Sequence, residues 1–199
     1  EFGRYLGRPY AGAALHVDLT GPAPGLLRHS AVRMPIRAAA RRKPAPALTS
    51  EAYTRAFNEV KRVGGKTSTQ RSQDETHYAA FWYEFSDIGW NRVARAASSR
   101  VKQDLWERAR TFALLNMAMA DAYIAGWDSK YHHNVWRPVT AIPLAGIDGN
   151  ARTVPDASFD ALLVTPPVPD MPSTHSALGA AAAVVLAEAF GRDHVPFSF

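Results

Sequence analysis

The sequence predicts an all-α protein built as a helical bundle. Apolar residues recur at helical spacing through Leu105, Phe112, Leu115, Ala118, Met119, Ala122 and Ile124 or Ala125, with no proline inside the run. Helix-starting and helix-stopping residues bracket further segments, and no stretch alternates as a half-buried strand would.

Residues 1–48 are rich in Pro, Gly and Arg with little periodicity. They predict an extended basic arm ahead of one helical domain over 49–199. Ser50 is an N-cap for a helix from Glu51 to about Val63, stopped by Gly64-Gly65. A second helix is expected near Gln73 to Phe85, and a short third over Asn91 to Ala97. The fourth and longest runs from Val101 to about Trp136, because Pro138 disfavours helix at Arg137. A loop rich in Pro, Gly and Asp follows from Leu144 to Pro172, with a turn around Ser158 to Leu163. An Ala-rich last helix spans Ser173 to Phe190 and is closed by Gly191.

Composition sets broad limits. The 199 residues are 47% apolar and 21% charged, ordinary values for a globular domain. There is no cysteine, so disulfides and thiolate zinc sites are excluded. The greasy stretches Thr111 to Trp127 and Ala177 to Phe190 are too polar or too short for a bilayer, so no membrane span is expected. Residues 1–50 hold eight Lys/Arg against two Asp/Glu, and the remainder holds fifteen against sixteen. The basic excess peaks at Arg37 to Lys43. It has no interleaved aromatics and no nucleic-acid motif behind it, so a solvated arm is expected and no nucleic-acid partner.

The chemistry concentrates in two places. Lys130 and Arg137 close the fourth helix seven residues apart. On a continuous helix they share a face about 10 Å apart along the axis. A Lys gives a point charge and an Arg a planar fork, a pairing suited to a tetrahedral oxyanion. Ser173, Thr174 and His175 begin the last helix. There the free N–H groups and the helix dipole favour an anion, and a histidine can move a proton. Each piece has a plainer reading. The cations fit a solvated face, and Ser173 fits a helix cap. His132 and His133 are adjacent and poorly placed to chelate one metal.

Taken together, Lys130, then Arg137-Pro138, then Pro172-Ser173-x-His175 resembles two of three signature motifs of the vanadium haloperoxidase and type-2 phosphatidic acid phosphatase superfamily. Trp90-Asn91-Arg92-Val93-Ala94, Gly126-Trp127-Asp128 and Trp136-Arg137-Pro138-Val139-Thr140-Ala141-Ile142 resemble its soluble bacterial haloperoxidase-type branch, over roughly residues 45 to 199. The resemblance implies a helical bundle of that type. Lys130, Arg137, Ser173 and the N–H of Thr174 would bind vanadate or phosphate, and His175 would be the catalytic acid/base. The family usually places Gly where this chain has Thr174, which adds a Cβ beside the anion.

The third family motif, Ser-Arg followed after five residues by the His that binds vanadium or attacks phosphorus, is not found. Ser99-Arg100 leads to Trp106, and His194 has Glu188 in place of the Arg. The expectation is a C-terminally incomplete domain holding no vanadium-ligating residue. Three functions stay open under the resemblance. One is peroxide-driven halide oxidation with vanadate as cofactor. The others are phosphomonoester hydrolysis through a phosphohistidine, and phosphate binding without catalysis. It also implies small-molecule partners (peroxide and halide, or a phosphoester), a homo-oligomer, and an extracytoplasmic location.

Overall fold

The structure is a computed structural model that describes residues 44–198. Almost all of the basic arm lies outside the described residues. Six α-helices follow: α1 Glu51–Val63, α2 Gln73–Phe81, α3 Ser86–Ser98, α4 Leu105–His133, α5 Pro138–Ala141 and α6 Thr174–Phe190. A 3₁₀ turn, Ala145–Ile147, follows α5. Among the described residues there is no strand, only an isolated antiparallel bridge between Gly65 and Ala161. The all-α expectation holds.

Local chemistry sets the helix ends. Ser50 Oγ accepts from the Tyr53 N–H and starts α1. Ser72 and Glu75 bond each other's backbone N–H groups and start α2. That helix ends at Phe81 rather than Phe85, because Trp82 and Tyr83 tighten onto the Tyr78 and Ala80 carbonyls. Phe85 is then extended and leads into α3, which is longer than expected. Helix α4 starts at Leu105 rather than Val101. Asp104 Oδ1 accepts from the Glu107 N–H, and Glu107 Oε2 accepts from the Asp104 N–H. This Asp-x-x-Glu box is visible in the sequence and sets the start. The helix also stops three residues early, at Asn134, which adopts a φ of 46° while its N–H bonds the Lys130 carbonyl. Asparagine tolerates this left-handed conformation better than most residues. Gly191 closes α6 at a φ of 64°.

The chain divides into two compact units. One comprises Glu84–Ser129 with the segment from Pro172 onward. Its buried apolar residues are Trp90, Val93 and Ala97 of α3, Leu115, Met119 and Ala122 of α4, and Leu178, Ala182 and Val185 of α6. Helices α3 and α6 pack together where Gly179 faces the Trp90 indole. A Cβ at Gly179 would lie 3.3 Å from Trp90 Cζ2, so glycine admits the ring.

The other unit comprises 44–83 with Lys130–Met171. Helix α1 packs on α5, and Phe57, Ile142 and Ala145 form its core with Tyr53, Val60 and Phe159 around them. Asn150 Nδ2 donates to the Leu48 carbonyl and Thr54 Oγ1, and Thr153 Oγ1 donates to Asp148 Oδ2. Arg71 Nη1 donates to the Val63 and Gly65 carbonyls at the end of α1. Among these, the Asn150 and Arg71 side chains satisfy backbone carbonyls that loops would otherwise leave unpaired.

Leu178→Ala tests the first core. Leu178 is 0% exposed, so truncation should cost about 2–5 kcal/mol in denaturant unfolding. The 77%-exposed Leu105 should tolerate alanine within about 0.5 kcal/mol.

Candidate oxyanion site

Lys130 and Arg137 do not share a helical face. Lys130 sits in the last turn of α4, whereas Arg137 is extended (φ −69°, ψ 154°) and precedes α5 with Pro138 at its first position. They meet instead on a third element, the segment Val168-Pro169-Asp170. Lys130 Nζ donates to the Pro169 carbonyl at 2.8 Å and the Asp170 carbonyl at 2.6 Å. Arg137 Nε donates to the Val168 carbonyl at 2.7 Å, and Nη1 lies 3.4 Å from Asp170 Oδ1. The Asp170 N–H donates to the Val135 carbonyl and ties the two stretches together. The sequence explains this segment's role. Pro166, Pro167, Pro169 and Pro172 lack N–H groups, so it offers more acceptors than donors, which suits two cations.

Lys130 is 2% exposed. Burial is the main reason its pKa falls to about 8; the Arg137 charge lowers it further and Asp170 opposes the fall. The carbonyls take two of the ammonium's three donors. Burial likewise raises the Asp170 pKa, against the pull of Arg137 and Lys130. A cation pair that remains partly desolvated, with acceptors that are mostly neutral carbonyls, is chemically suited to binding an anion.

Ser173, Thr174 and His175 belong to the other unit, at the start of α6. Ser173 Oγ accepts from the Ser176 N–H, so the serine is the helix cap. Its hydroxyl hydrogen is the group it can offer to an oxyanion. His175 Nε2 lies 3.0 Å from the Glu84 carbonyl oxygen. A carbonyl only accepts, so Nε2 carries hydrogen, and in the neutral ring Nδ1 holds the lone pair. Glu84 is anchored in turn by an ion pair with Arg92. The extra side chain of Thr174 is accommodated by α4. A Cβ at Gly126 would lie 3.1 Å from Thr174 Cγ2, so glycine there makes room for the threonine methyl.

The structure thus joins Lys130 to Arg137 within one unit, and places Ser173, Thr174 and His175 on one helix start in the other. Sequence reasoning missed Asp170, the Glu84 carbonyl and the contact of Gly126 with Thr174. Asp170 had a signal, lying three residues before Ser173 in the proline-rich run. The backbone contact of His175 had none. His132 and His133 stack edge to face, with ring centroids 4.9 Å apart. Among the described residues no group of three or more His, Asp or Glu is placed to hold a metal ion, and no helix is long and apolar enough to cross a membrane.

The depressed Lys130 pKa predicts a pH dependence of stability. The folded state gives up this proton near pH 8, and the unfolded chain near 10.4. Between those values the unfolded state binds more protons, so stability should rise with pH across that window. Denaturant unfolding at intervals from pH 7 to 10.5 should show this rise, and Lys130→Met should remove it.

Comparison with known proteins supports a relation to the haloperoxidases. Residues 110–199 match the family model described as the VCPO second helical-bundle domain. The vanadium chloroperoxidase of Curvularia inaequalis is 29% identical over 136 residues, covering 57% of this chain. The match spans 22% of that relative's length. No solved structure matches the chain. Its C-terminal half therefore resembles a vanadium chloroperoxidase helical domain.

Proposed function

We propose that this chain belongs to an enzyme that binds a tetrahedral oxyanion as vanadate-dependent haloperoxidases do, and that it serves peroxide-driven halide oxidation. The observation that carries the proposal is Lys130, a buried ammonium oriented by two carbonyls beside the Arg137 guanidinium. Burying a charge is costly, and a purely structural lysine would find water more cheaply. The similarity to vanadium chloroperoxidase supports the same reading.

The resemblance assigns vanadate binding to donors carried by both units. Lys130 and Arg137 offer charge-assisted hydrogen bonds, and at an effective dielectric near 20 one cation about 4 Å away gives on the order of 4 kcal/mol of gross attraction. Ser173 offers its hydroxyl and Thr174 its backbone N–H. His175 is the proton-transfer group through Nδ1, with Nε2 oriented by the Glu84 carbonyl. Bound vanadate supplies Lewis acidity toward peroxide. These residues would hold vanadate through its oxygens.

Vanadate titration of the 199-residue chain, followed by calorimetry, tests the binding roles. Lys130→Ala and Arg137→Ala should each weaken binding by about 10- to 100-fold, the range for hydrogen bonds to charged groups. Unchanged binding in both variants would overturn the assignment. For the reaction, bromide or chloride oxidation with peroxide and added vanadate should be run beside nitrophenyl phosphate hydrolysis in the longest natural form of the protein. Halide oxidation, lowered about 10²–10⁴-fold by His175→Ala, is the expected result. Phosphate ester hydrolysis without halide oxidation would replace this reading with the phosphatase one.

A further inference from the structure

Two positive charges converge on residues 168–170, and three of their four acceptors are neutral backbone carbonyls. A carbonyl fixes the position of a cation without cancelling its charge. The Asp170 carboxylate differs. Its Oδ1 is 3.4 Å from Arg137 Nη1, and its side chain keeps 41% exposure. Its charge also acts on Lys130. The structural duties of this residue fall on its backbone, whose carbonyl accepts from Lys130 and whose N–H donates to Val135. Neither needs the carboxylate.

Resting on the oxyanion-site reading above, we propose that Asp170 sets which anion charge the Lys130–Arg137 pair accepts. The carboxylate reduces the net charge of the group from +2 to +1, counting only these three side chains. That favours singly charged tetrahedral oxyanions over doubly charged ones. Asp170 is therefore a specificity-determining residue, and the cation pair is selective by charge as well as by shape.

Coulomb attraction is linear in ligand charge, so removing one negative charge should help a dianion twice as much as a monoanion on a logarithmic scale. Sulfate and perchlorate are the probes. They are tetrahedral oxyanions of charge −2 and −1, and neither titrates near neutral pH. In the 199-residue chain, Asp170→Asn should strengthen perchlorate binding about 3-fold and sulfate binding about 10-fold, given a partly exposed charge a few ångströms away. Asp170→Glu, which keeps the charge, should retain the wild-type preference.

An equal change for both anions, or weaker sulfate binding in Asp170→Asn, would overturn the assignment. Sulfate binding that survives both Lys130→Ala and Arg137→Ala would overturn the underlying site instead. Binding that needs both cations, with a preference that Asp170→Asn leaves untouched, would overturn the role of Asp170 alone.

Discussion

The ammonium of Lys130 is the constraint from which its surroundings follow. A charge that is 2% exposed must be hydrogen-bonded or it destabilises the fold. The Pro169 and Asp170 carbonyls meet that need, and to present them the proline-rich segment must run beside the end of α4. The chain after α4 must then be extended, so that the Val135 carbonyl can accept from the Asp170 N–H. Asn134 makes this change of direction by adopting a left-handed conformation. The same extension leaves Arg137 able to reach the Val168 carbonyl.

This arrangement ties structure to chemistry through electrostatics. Neutral carbonyls hold both cations while leaving most of their charge available. The cost is a lysine that gives up its proton unusually easily, near pH 8, and an aspartate that is harder to ionise than usual. In the other unit the design differs. His175 is oriented by a backbone carbonyl through Nε2, and Gly126 leaves room for the Thr174 methyl. Perturbed titratable groups tend to gather where function is carried out.

Much of the fold was legible in the sequence. Ser50, Gly191 and the apolar spacing of α4 and α6 act locally, and local signals survive in a linear reading. The candidate residues were legible too, but not their geometry. The one-face placement of Lys130 and Arg137 assumed that a helix runs until a proline stops it, whereas Asn134 ended it earlier. Asp104 and Glu107 form a capping box whose sequence pattern marks the start of α4. Asp170 and the Glu84 carbonyl act across 33 and 91 residues of sequence. Such partners depend on tertiary packing, which periodicity does not encode. Backbone carbonyls, the acceptors that matter most here, carry no residue-type signal at all.

Lys130 is a buried ammonium, and its proposed role is to accept an anion. The most direct measurement is a carbon-13 NMR titration of the Lys130 Cε resonance, assigned with Lys130→Arg, in the absence and presence of saturating sulfate. The expected midpoint is near 8 without the anion, moving upward when sulfate binds because a nearby negative charge favours the ammonium. A midpoint at the ordinary lysine value near 10.4, unmoved by sulfate, would contradict it.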